Sequence, residues 1–85
     1  MPTPIRIEIY SRPGCHLCDQ AKAVIEAYRS RYSLELETIN VESSVELEKR
    51  YGMDIPVVVI NGTEAFRHHV NAAELERKLN TLWNR

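Results

Sequence analysis

The sequence predicts an α/β domain: a four-stranded mixed sheet flanked by three helices, in the order β-α-β-α-β-β-α. Two observations predict it. Apolar spacing changes period along the chain, alternating at Ile5, Ile7 and Ile9, recurring at three and four through Leu17, Ala21, Val24 and Ile25, then alternating again at Leu34 and Leu36. Further on, two β-rich runs surround Asn61-Gly62, a dipeptide that suits the type I′ turn of an antiparallel hairpin. Helices between the first three strands, followed by a tight hairpin, make a sheet of mixed strand direction.

Met1 to Pro4 holds two prolines and no pattern, and reads as a frayed tail. Ile5 to Tyr10 alternates with period two, which is a strand with its isoleucines on the better covered face. Ser11 to Gly14 is a turn by composition. From Cys15 the apolar positions run as a helix face as far as Tyr28 and Tyr32, with Asp19 placed to interact with the helix dipole. Leu34 to Val41 is extended. Ser43 with Glu46 is a capping-box signature for a short helix anchored by Leu47 and Tyr51 and ended by Gly52. Pro56 to Ile60 is apolar throughout, as in a strand covered on both faces, and its hairpin partner runs from Thr63 to Val70. Asn71 with Glu74 caps a last helix whose face is Leu75, Leu79 and Leu82, with Trp83 at its edge.

The chain's 85 residues, 1–85, make a single domain with one core. A composition of 44% hydrophobic and 27% charged residues is that of a folded protein and excludes a disordered one. Lys and Arg number 11 against 12 Asp and Glu, a net charge of −1 without any basic run, which excludes a nucleic-acid footprint. The longest apolar run, Ile55 to Ile60, falls far short of the roughly 18–20 residues of a membrane span. The N-terminus passes straight into a strand pattern with no signal peptide, so a cytoplasmic location is expected. No heptad repeat argues for an obligate dimer, and a monomer is expected.

Both cysteines, Cys15 and Cys18, stand three positions apart where the first strand gives way to a helix. Orphan backbone N–H groups and the positive end of the helix dipole favour negative charge there. A thiolate is the reactive form of cysteine, so the placement activates Cys15 as a nucleophile, with Cys18 one turn later to resolve the mixed disulfide. A three-residue loop adds little as a staple, and cytosolic disulfides are rarely structural. Two other readings stand beside this one: a pair of small buried hydrophobes, and half of a metal site needing His16, His68 or His69 to complete it. His68 and His69, neighbours on the predicted strand, point to opposite faces and make no chelating pair.

The stretches Tyr10-Ser11-Arg12-Pro13-Gly14-Cys15-His16-Leu17-Cys18 and Tyr51-Gly52-Met53-Asp54-Ile55-Pro56-Val57, in this element order, resemble the glutaredoxin-like proteins of the thioredoxin fold. The resemblance spans the chain from Ile5 onward. It implies a cis Ile55-Pro56 bond beside the dithiol, and a thiol-disulfide oxidoreductase cycling between a Cys15–Cys18 disulfide and the dithiol. Such chemistry needs no bound organic cofactor, because the electrons reside on the sulfurs. Glutathione is a co-substrate in the family. The partners implied are a disulfide-containing protein or small thiol, with glutathione or a thioredoxin-reductase-type donor as the electron source.

Two departures separate this chain from its models. Glutathione-using glutaredoxins carry a Gly-Gly pair and an acidic residue entering the last helix, where this chain has His68-His69-Val70-Asn71-Ala72. Thioredoxins carry Trp before the first cysteine, Gly-Pro between the two, and a carboxylate six residues ahead, where this chain has Gly14, His16-Leu17 and Ile9.

Around the dithiol, Arg12 is read either as a partner for the thiolate or a substrate carboxylate, or as a solvated charge. His16 either stabilises the thiolate or points to solvent. Pro56 opens a strand, and as the family has it, leaves the backbone of Ile55 free to pair with an extended substrate. A binding or redox-sensing module without turnover, and a metal or iron–sulfur carrier, are the alternative functions.

Overall fold

The computed structural model describes residues 4–83. Met1 to Thr3 of the expected tail lie outside the described residues, and Pro4 is exposed. The elements are β1 (Ile5–Ser11), α1 (His16–Glu26), β2 (Leu34–Asn40), a 3-10 turn (Val41–Ser43), α2 (Val45–Tyr51), β3 (Val57–Ile60), β4 (Thr63–Arg67) and α3 (Ala72–Trp83). Strand order is β2-β1-β3-β4, with β1 parallel to β2 and antiparallel to β3, and β3 antiparallel to β4. The predicted element order and mixed sheet are those observed.

Alternation along the strands divides the core in two. Ile5, Ile7 and Ile9 of β1, with Val58 and Ile60 of β3, join Ile25, Tyr32, Leu75 and Leu79 under α1 and α3. Val57 and Val59 face the other way and pack with Val41 and Tyr51, beside Tyr10, Leu47 and Ile55, under α2. The unbroken apolar run of β3 therefore reflects burial on both faces. Each fully buried Ile or Leu contributes about 1.5–3 kcal/mol by removal from water. At the hairpin, Asn61 (φ 49°) and Gly62 (φ 83°) both take the left-handed conformation that a type I′ turn requires. Asn61 also bonds to β1, its Oδ1 accepting from the Arg6 N–H (2.9 Å) and its own N–H donating to the Arg6 carbonyl (2.8 Å).

Several boundaries differ from the expected ones. The α1 helix ends at Glu26, where the spacing predicted continuation to Tyr32. From there the chain unwinds through three-residue bonds, Tyr28 N–H to Ile25 O and Arg29 N–H to Glu26 O, and returns to start β2 beside Ile5. Tyr28 and Tyr32 still reach the core from this irregular segment, and Tyr32 meets Trp83 edge-on at 6.0 Å.

Val41 leaves the strand and is fully buried at the start of the 3-10 turn. The cap of α2 is Ser44, whose Oγ accepts from the Leu47 N–H; Ser43 donates instead to the Asn40 carbonyl, so the expected capping box is off by one residue. Gly52 does close α2, but in a right-handed conformation (φ −56°). Glycine is needed there for a different reason: a Cβ would run into the carboxylate and carbonyl of Glu48.

The β4 strand stops at Arg67, short of the predicted Val70. His68 turns left-handed (φ 69°) and donates its N–H to the Pro56 carbonyl at 2.9 Å. The two histidines are thus in a turn and not on opposite faces of a strand. Asn71 caps α3 as expected, its Oδ1 accepting from the Glu74 N–H at 3.0 Å.

Candidate active site

The turn that delivers Cys15 is closed by its N–H donating to the Arg12 carbonyl (3.3 Å), with Gly14 (φ 80°) supplying the left-handed residue. Cys15 is the N-cap of α1. Its sulfur accepts the Cys18 N–H at 3.1 Å, in the place where a serine or aspartate oxygen ordinarily sits. The two cysteines form a disulfide with their Cα atoms 5.2 Å apart. Their environments differ: Cys18 is 4% exposed and packed inward, whereas Cys15 is half-buried and reachable. On reduction, the sulfur of Cys15 faces a backbone N–H and the positive end of α1, both of which favour its thiolate.

Arg12 does not point into open solvent. Its guanidinium donates to Glu48 Oε1 (2.5 Å), to the Gly52 carbonyl (2.9 Å) and to Glu42 Oε2 (3.4 Å), tying the turn before the dithiol to α2. The hydrogen bond to Glu48 holds its pKa above the ordinary arginine value. His16 and Leu17, between the cysteines, are both exposed.

The Ile55-Pro56 peptide is cis. Register places it: Tyr10 of β1 is opposite Val57 of β3, so Pro56 enters the sheet at the end where β1 runs into the Cys15 turn. Pro56 is buried, and the backbone of Ile55 makes no hydrogen bond among the described residues. This loop is braced from behind, because the Asp54 carboxylate takes an ion pair from Arg67 and a contact from His68 Nε2 (3.3 Å). A groove of about 100 Å³ runs between α1 and the turn after β4, lined by Leu17, Gln20, Ala21, Val24, His68, His69 and Val70. A larger one of about 890 Å³ lies at the opposite end of the sheet, between the hairpin and α3, and neither cysteine nor histidine lines it.

Glu48, Asp54 and Arg67 were not singled out in the sequence. Glu48 reads there as one more charge on an amphipathic helix. Only the fold brings it across to Arg12, 36 positions away. Among the described residues, no group of three or more His, Cys, Asp or Glu is placed to hold a metal ion, and no helix is long and apolar enough to cross a membrane.

Residues 6–80 match the model of the family described as glutaredoxin-like domain (DUF836). The chain is 29% identical over 84 residues to a glutaredoxin-like protein YDR286C homolog of Dictyostelium discoideum, covering 92% of this chain and 78% of that protein. It is 35% identical over 65 residues to a thioredoxin of Methanocaldococcus jannaschii, covering 73% and 76% respectively. The solution structure of protein Ne2328 from Nitrosomonas europaea superposes with a TM-score of 0.81 at 25% identity, over 93% of this chain and 95% of that one. Solved thioredoxins share the arrangement of elements.

Proposed function

Because the chain belongs to the glutaredoxin-like domain family and has the thioredoxin fold, we propose that it is a thiol-disulfide oxidoreductase working through Cys15 and Cys18. The observation that carries this reading is the N-capping sulfur: Cys15, accessible, accepts a backbone N–H, while its disulfide partner Cys18 is buried one turn inside.

In the reducing direction the Cys15 thiolate attacks one sulfur of a substrate disulfide. A mixed disulfide forms and the first substrate thiolate leaves. Cys18 then loses its proton and attacks the Cys15 sulfur, which closes the Cys15–Cys18 disulfide and releases the second substrate thiol. Two electrons pass from the dithiol to the substrate, and no bound organic cofactor takes part. The backbone of Ile55, without a hydrogen bond among the described residues and beside buried Pro56, supports pairing with an extended segment of a disulfide-containing protein, while a small thiol substrate would meet Cys15 directly. His16 and Arg12 flank Cys15 in sequence, His16 facing solvent and Arg12 acting through α2.

The dithiol is regenerated by glutathione or by a thioredoxin-reductase-type donor. The His68-His69 turn, standing in place of a Gly-Gly pair, favours the second. A cytoplasmic monomer is part of the same proposal.

Turnover of a model protein disulfide, monitored with each donor in turn, tests it. Cys15→Ser is expected to abolish turnover, and Cys18→Ser to accumulate a mixed disulfide on Cys15 visible by mass. Full partner binding by Cys15→Ser from a wild type that turns nothing over would favour a binding module and sink the oxidoreductase.

A further inference from the structure

We propose that Glu48 is a positioning residue of the dithiol, acting through Arg12, and that it sets how readily Cys15 ionises. The inference rests on the oxidoreductase reading and adds what governs its sulfur.

Arg12 joins two jobs in one residue. Its carbonyl accepts the Cys15 N–H and so closes the turn carrying the nucleophile, while its side chain is drawn to the end of α2. An arginine three positions ahead of a cysteine would ordinarily lend positive potential to the thiolate. Here that charge is already taken. Glu48 meets the guanidinium at 2.5 Å and Glu42 at 3.4 Å, so two carboxylates face one cation. Gly52 adds its carbonyl, and the Glu48 carboxylate lies so close over Gly52 that no side chain fits beneath it.

The grip therefore does two things. It fixes the turn against α2, and it cancels the positive charge that would otherwise stabilise the thiolate. The thiolate then relies on the Cys18 N–H and the end of α1, with exposed His16 the titratable neighbour beside it in sequence. Arg12 and Glu48 are both partly exposed, so water and salt moderate the effect to the scale of a surface charge pair.

The test uses Glu48→Gln, which keeps the shape and an acceptor for Arg12 but removes one negative charge. Its converse is Arg12→Gln, which leaves Glu48 and Glu42 without their cation. Two readouts are taken on the chain itself: thiolate absorbance of the reduced protein against pH, and the equilibrium of the Cys15–Cys18 disulfide with dithiothreitol. Glu48→Gln is expected to lower the thiolate titration and shift the equilibrium toward the dithiol by about twofold to fivefold. Arg12→Gln is expected to move both the other way, and Arg12→Lys to restore part of the wild-type value. Glu76→Gln, which removes a comparable charge from the contacts with Arg31 and Tyr28 elsewhere in the fold, is expected to change neither.

Shifts of the same sign in Glu48→Gln and Arg12→Gln, or unchanged titrations with only a lowered Tm, would overturn the proposal and leave the cluster a structural brace. A wild type without disulfide turnover would remove the oxidoreductase reading, yet both readouts would still report on Glu48.

Discussion

The two faces of the sheet are built by different means. Under α1 and α3 lies a wide apolar cluster in which Ile7, Ile9, Ile25, Leu75 and Leu79 are buried almost completely. Under α2 the apolar contribution is a smaller cluster around Val41, Tyr51, Val57 and Val59, and a network of charges completes the attachment. Tyr10 stacks on Tyr51 at 4.2 Å, and Arg50 lies over the same ring at 5.4 Å. Hydrophobic burial is nondirectional and large, whereas exposed ion pairs are directional and small. The first face secures the fold; the second orients what is attached to it. The dithiol belongs to both, with buried Cys18 on the core side of α1 and the turn before Cys15 anchored to α2.

Substitutions should separate the faces by size of effect. Leu75→Ala opens a cavity in the larger cluster and is expected to cost about 2–5 kcal/mol in denaturant unfolding. Leu47→Ala, half-buried under α2, is expected to cost less than half of that, and equal losses would show the faces to be energetically alike. Next in size is Gly52→Ala. The added methyl collides with Glu48, including its backbone carbonyl, and is expected to cost about 1–3 kcal/mol by overpacking. A neutral or stabilising outcome would mean that the end of α2 yields freely.

The smallest effect is with pH. Burial first, and the charge of Glu8 second, raise the pKa of Tyr10 on the α2 face. Burial and the hydrogen bond to Glu76 raise that of Tyr28 on the other. A phenol whose pKa is higher in the folded chain contributes stability that is complete below its unfolded value, near about 10, and is lost as pH rises through the folded one. Stability is therefore expected to fall above that pH as tyrosinate absorbance grows. Tyr10→Phe and Tyr28→Phe should each remove part of the fall and report which face loosens.

What was legible in the sequence was local. Alternation at Ile5 to Ile9, the helical spacing after Cys15, Asn61-Gly62 and Asn71 with Glu74 each write a short-range preference that the fold keeps. The position of Cys15 at the start of a helix was legible for the same reason. What the sequence hid depends on partners far along the chain. Nothing near Glu26 stops a helix; α1 ends there because the chain must turn to lay Leu34 beside Ile5. Ser43 and Ser44 are equal as caps until the Asn40 carbonyl takes one of them. His68 carries no mark of a left-handed residue, yet its N–H is claimed by Pro56 and its ring reaches Asp54. Arg12 and Glu48 meet only after two strands and a helix are in place.

The strand order has one more result, for encounters between copies. With β1 and β3 inside the sheet, β2 and β4 present free edges, the usual templates for chain-to-chain strand pairing. Each is defended. Exposed Glu35 and Glu37 alternate along β2, so two such edges brought together set carboxylates against carboxylates. In the β3–β4 pair the register shifts between Val58 and Val59, leaving Ala65 of β4 without an opposite residue, and Glu64 and Arg67 flank it with charge. Charge on one edge and an irregular register beside the other thereby disfavour strand pairing between copies.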